Sequence, residues 1–233
     1  MKSFRYLAWD GTQLPFSLKR KEVMDAFMEN IMKGMTPNMS LAQMIWDGFP
    51  MAGMNFRVMG LEEMLKEIQQ QKRDLFSKYN LDKAFDKPID ELKRLLAEEA
   101  MTRQEKGAEP SPHYEDLPAG LLEKIKNLEN FPFMNQFSQE AYDSWKERRD
   151  EILELYEFYA EYSHKFQGDE SLDFDQAMEL MRQLKSLESL QQQLLNGEFQ
   201  SIDPRAIRDM LGEEASRSFT ILLQLPDMIT EEG

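Results

Sequence analysis

The chain of 233 residues contains no cysteine and only two histidines, His113 and His164. Without thiols there is no disulfide framework, no thiolate nucleophile and no cysteine metal site, a composition that fits a reducing compartment. Two imidazoles leave little to act as a base near neutral pH. Long apolar runs are also missing: the most apolar stretch, Met44 to Met59, is interrupted by Asp47, Pro50, Gly53 and Arg57, so no membrane span is expected. Met1 to Gln13 has neither a continuous apolar core nor a small-residue cleavage site, and the expected location is the cytoplasm. Basic residues are scarce, 28 against 43 acidic, giving a formal charge of −15. With no basic stripe to offset it, that charge repels a phosphate backbone and argues against nucleic acid as a partner. There is no Gly-x-Ser-x-Gly elbow and no phosphate-cradling glycine loop. Carboxylate pairs arise by chance among so many acids, so they carry no argument for acid–base catalysis. The residues are those of a non-enzymatic chain with no cofactor and no metal.

What is present is helical periodicity, and it is strongest between Gly60 and Asp86. Leu61, Met64, Leu65, Ile68, Leu75, Phe76 and Tyr79 recur at spacings of three, four and seven, with Glu62, Glu63, Lys66, Glu67, Lys72, Arg73 and Asp74 on the other face. A helix of roughly 18 residues would reach about 27 Å, so neighbouring helices must lie along it.

Before it, the alternating aromatic run Phe4 to Trp9 ends in Asp10-Gly11 and reads as a short extended arm laid on helices. A first helix is expected from about Lys19 to Lys33 with Val23, Met24, Phe27, Met28 and Ile31 inward and Gly34 as its stop. Ser40 to Gln43 has capping-box spacing and predicts a second start, with Gly48 to Gly60 as an apolar loop. After the central helix, Pro88 suits a first turn and Ile89, Leu92, Leu95 and Leu96 form a stripe that fades toward Lys106. Three prolines between Gly107 and Pro118 read as a linker, giving halves 1–105 and 119–233 around residues 106–118, either as two bodies or as one continuous domain. The second half is expected to hold a short helix from Leu121 to Leu128, a long one from about Ser138 to Phe166, and one capped by Asp173 and Gln176. Asp203-Pro204 opens a further helix, and the last is expected to be kinked or ended by Pro226. No segment predicts a strand. The expected fold is an all-α, elongated bundle of about seven to nine helices.

Two metal-like spacings compete with bland readings. Glu161 and His164 have the Glu-x-x-His spacing of carboxylate-bridged di-iron bundles, but such sites need two copies and further glutamates, and His113 lies in the linker. The run Asp169, Ser171, Asp173, Asp175 has Phe174 and Leu180 where a calcium loop needs glycine and glutamate, and reads as a loop and cap. Ten of the 17 methionines lie between Met24 and Met64. Thioethers suit surfaces that repack around varied partners, although a methionine-rich core is the simpler reading.

Tyr6-x-x-Trp9-Asp10-Gly11-Thr12-Gln13, Gly60-Leu-Glu-Glu-Met-Leu followed by Tyr79-Asn80-Leu81-Asp82, and Leu211-Gly-Glu-Glu-Ala-Ser-Arg-Ser218 together resemble the helical region that precedes the A domain in bacterial CoxE-like von Willebrand factor A domain proteins. The resemblance implies a cytoplasmic partner of a MoxR-type AAA+ ATPase, working on a client protein in maturation or complex assembly, with an A domain following in the full-length family. The metal-binding Asp-x-Ser-x-Ser of that domain is absent here, so no metal ligand is carried over. The residues expected to meet partners are Tyr6, Trp9, Asp10, Gly11, Gln13, Tyr79, Arg208 and Arg217. The leading expectation is a helical adaptor. Its alternatives are a carboxylate-rich bundle of di-iron type and a free-standing helical scaffold.

Overall fold

The computed structural model describes residues 20–51, 56–109, 128 and 131–230. Among these the chain forms nine α-helices and only short strands, an all-α fold. The expected arm, residues 110–118 of the expected linker, and the helix expected from Leu121 lie outside the described residues, apart from the buried Leu128. The chain divides into two compact units, Met1–Lys72 with Lys185–Gly233, and Arg73–Leu184. The boundaries fall within the helices Leu61–Lys78 and Phe174–Asn196.

In the first unit, α1 (Arg20–Met32) buries Val23 and Phe27 and packs on α2 (Pro37–Asp47). The start of α2 differs from the capping box expected at Ser40. Thr36 accepts the Met39 amide at 3.3 Å with Pro37 in the first turn, whereas the buried Ser40 hydroxyl donates to Phe27 O at 3.2 Å. A side chain that fits a cap by spacing is used instead to tie two helices together. Met28, expected inward, is exposed.

The apolar loop expected at Gly48 to Gly60 is instead a small hairpin, β1 (Gly48–Pro50) antiparallel to β2 (Arg57–Met59), with Phe49, Met51 and Val58 buried. Its closure depends on two glycines. A Cβ on Gly60 would collide with Trp46 O and Gly48 N, and one on Gly48 with Val58 O. The Met59 amide donates to Ser218 Oγ at 3.0 Å, which anchors the hairpin to the last helix.

α3 (Leu61–Lys78) has the 18 residues its periodicity predicts and buries Leu61, Met64, Leu65 and Ile68. α7 (Phe174–Asn196) begins with the reciprocal bonds of a capping box, Asp173 N to Gln176 Oε1 at 3.1 Å and Gln176 N to Asp173 Oδ1 at 2.9 Å. Within the first unit, α3 and α7 are joined by Lys72 and Glu188 at 2.8 Å. α8 (Pro204–Leu211) starts at the Asp203 cap and packs on α9 (Glu213–Thr230). Pro226 does not end α9, which continues to Thr230.

The second unit contains β3 (Tyr79–Asn80), α4 (Asp86–Glu105), α5 (Gln136–Glu147), α6 (Arg149–Tyr162), β4 (Glu170–Ser171) and the first turns of α7. β3 and β4 pair in parallel for two residues. Its core joins Leu92, Leu95, Leu155, Phe158, Phe174 and Leu184 with an aromatic group in which Phe76 meets Phe166 edge-on at 5.0 Å. Each such aliphatic side chain contributes about 1.5–3 kcal/mol on full burial. The helix expected to run unbroken from Ser138 to Phe166 is two helices and a 3₁₀ turn at Ser163–Lys165. The joint is Arg148 (φ −90°, ψ −1°), whose guanidinium donates to Glu91 at 3.2 Å and lies 5.1 Å from the Phe174 ring. No glycine or proline marks the joint. It coincides with tertiary contacts that local sequence does not reveal.

Candidate functional site

Five of the eight partner-facing candidates, Tyr6, Trp9, Asp10, Gly11 and Gln13, lie outside the described residues. Tyr79 stands at the start of β3 in the second unit, where its hydroxyl accepts from Lys78 Nζ at 2.9 Å. That bond raises the Lys78 ammonium above its ordinary pKa, with the Glu170 carboxylate adding to it. Arg208 and Arg217 belong to the first unit. Arg208 reaches Asp209 at 3.5 Å, and the half-buried Arg217 guanidinium lies 5.6 Å from the Phe56 ring.

The metal-like spacings do not converge. Glu161 ends α6 and His164 sits exposed in the 3₁₀ turn, and among the described residues no three His, Asp or Glu side chains are grouped to hold an ion. Asp173 is the α7 cap, and Asp175 pairs with Lys87 at 2.9 Å, which holds its carboxyl below the usual value. Those acids do structural work.

Apolar side chains left outside mark a different place. On α1, Met28 and Met32 are 48% and 85% exposed, and on α2, Met39 and Trp46 are 59% and 45% exposed. Four and seven residues apart, each pair lies along one helix face. The exposed positions of α2 are Pro37, Asn38, Met39, Ala42, Gln43, Trp46 and Asp47, so a helix in a chain 30% charged presents one charge to solvent. The methionine cluster therefore splits: Met44, Met51 and Met64 are core, while Met28, Met32 and Met39 are surface. Composition showed the cluster but not which members would be covered.

Beside this surface the first unit has an apolar cleft of about 200 Å³. Ile45 of α2, Leu61 of α3, Phe199 of the turn after α7, and Phe219, Leu223 and Pro226 of α9 line it. No lining residue is charged. Trp46 is next in sequence to Ile45, and Leu195, 52% exposed, comes two residues before the lining Gly197.

The second unit has a polar groove of about 370 Å³ between α4 and α5, with Leu95, Ala141 and Trp145 facing Arg94, Glu98 and Arg148. Near its end stands a fully buried carboxylate. Glu99 accepts Arg103 Nε at 2.9 Å, Met134 N at 2.8 Å and Asn135 N at 3.1 Å, while Arg103 also donates to Pro132 O and lies 4.7 Å from the Phe131 ring. The pair clasps residues 131–135 onto α4. The apolar stripe of α4 ends at Leu96, but its buried face continues at the same spacing through Glu99 and Arg103, which is the signal that could have located them.

No protein-family model matches the chain, and neither a curated protein nor a solved structure matches it.

Proposed function

We propose that this chain is a non-enzymatic helical adaptor, and that the solvent face of α1 and α2 is the surface it presents to a partner protein. The observation that carries the reading is the set of exposed Met28 and Met32 on α1 and Met39 and Trp46 on α2, a helix that presents a single charge to solvent. Exposed apolar groups of this kind cost solvation in an isolated monomer and are covered in complexes. Methionine and tryptophan are also enriched at interfaces, the first because its flexible thioether adapts to different partners, the second because it buries a large rigid area.

The motif resemblance supplies the partner class: a MoxR-type AAA+ ATPase, with a client protein, in maturation or complex assembly in the cytoplasm. The acidic surface, net −15, would select and steer a basic partner face. The test is a titration of purified chain against a purified MoxR-type AAA+ ATPase from the same organism, with and without nucleotide. Wild type is expected to form a complex, and Met39→Asp with Trp46→Asp is expected to lose it while keeping the far-UV spectrum. If wild type formed no complex in either nucleotide state, the assignment would fall.

A further inference from the structure

The cleft between α2, α3 and α9 is too small for a ligand of ordinary size. At about 200 Å³ it is below the roughly 300–1,000 Å³ of small-molecule sites, and it suits one or two large side chains of a polypeptide. Its walls offer no charge and few polar groups, so what enters is apolar.

The charge around it is one-sided. Within two positions of any lining residue the charged residues are Asp47, Glu62, Glu63, Glu198, Asp227 and a single cation, Arg217. Arg217 is half-buried beside the Phe56 ring. Glu62 and Glu63 are paired with Lys66 and Arg57. Glu198 and Asp227 are exposed and form no ion pair among the described residues, whereas Asp47 has the Arg57 guanidinium on its backbone carbonyl. An apolar socket whose lining residues Gly197, Phe199 and Pro226 adjoin the unpaired carboxylates Glu198 and Asp227 disfavours an anionic surface and favours a segment whose apolar anchors are flanked by lysine or arginine.

We infer that this cleft is an anchor socket for a cationic amphipathic helix of a partner protein, whose apolar side chains enter between Ile45, Phe199 and Leu223 while its basic residues face Glu198 and Asp227. The inference rests on the interaction reading above and names the chemistry of the partner segment.

The probe is a helical peptide with leucine and phenylalanine at positions i, i+3, i+4 and i+7 and lysine elsewhere, together with a twin carrying glutamate in place of lysine. Titrated calorimetrically into the full chain, the lysine peptide is expected to bind with a Kd below about 100 μM and the twin not to bind. Binding should weaken about tenfold in the Glu198→Lys, Asp227→Lys variant, whose changes are exposed and leave the core intact, and again at 0.5 M salt. Leu223→Glu should abolish it. Equal binding of the two peptides, or none of either, would overturn the inference. So would a photo-crosslinker at position 223 that joins the chain to its own residues 1–19 or to a second copy, since the socket would then already have its occupant. A lysine peptide that binds while the ATPase does not would remove the adaptor assignment alone; the reverse would remove the socket alone.

Discussion

Glu99 and Arg103 show what one buried pair can hold. The carboxylate is fully buried and satisfied by one guanidinium and two backbone amides, and the guanidinium in turn reaches Pro132 O. Burying two charges is costly, and the pair is tolerable because both Glu99 oxygens accept hydrogen bonds and all three Arg103 nitrogens donate one. Arg103→Met is therefore expected to cost about 3–5 kcal/mol in urea unfolding, since it leaves the Glu99 charge without its cation. In a double-mutant cycle with Glu99→Gln the two losses should be non-additive by more than about 1 kcal/mol. A single variant within about 1 kcal/mol of wild type would show that the clasp is incidental. By contrast, the exposed pairs Lys33 with Glu29 and Lys66 with Glu62 contribute little, because water and salt screen them.

At the scale of elements, the hairpin that follows α2 depends on bare backbone. Gly60 packs where any side chain would meet Trp46 O and Gly48 N, so the main chains of α2, β1 and the start of α3 cross at a distance only glycine allows. Gly60→Ala is expected to lower stability by about 1–3 kcal/mol, the range for overpacking, and to broaden the NMR resonances of Trp46 and Val58. Gly34→Ala is the control, because nothing lies within 4 Å of its added methyl group and only its φ of +93° resists the change. If Gly60→Ala proved no worse than Gly34→Ala, the close crossing would not matter to the fold. The hairpin also joins α2, with its exposed Trp46, to α3, whose Leu61 lines the cleft.

For the whole molecule, charge dominates the response to conditions. A net −15 on a chain with pI near 4.7 repels itself in the compact state, and salt screens that repulsion over a Debye length of about 8 Å at physiological strength. Raising sodium chloride from 10 to 500 mM is expected to raise the Tm by about 2–4 °C in calorimetry. A fall in Tm would mean that the surface ion pairs outweigh the repulsion. Under the proposed function the same surplus of carboxylates would set partner selectivity, so a complex made through it should weaken over the salt range that stabilises the isolated chain.

Helices were legible in the sequence because their signals are local. The spacing of Leu61, Met64, Leu65 and Ile68, the Asp173–Gln176 box and the Asp203-Pro204 start each lie within one or two turns of chain, and the structure places α3, α7 and α8 there. The tertiary structure alone decided which apolar residues are covered, since Met39 and Met44 differ in nothing but the neighbour each meets. It also decided that the α4 stripe ends in a buried ion pair, that a helix breaks at Arg148, and that Gly48 to Met59 pairs with itself. The reason is the range of the forces involved: periodicity and capping act over a few residues, whereas burial, backbone pairing and close crossings depend on segments far apart in the chain.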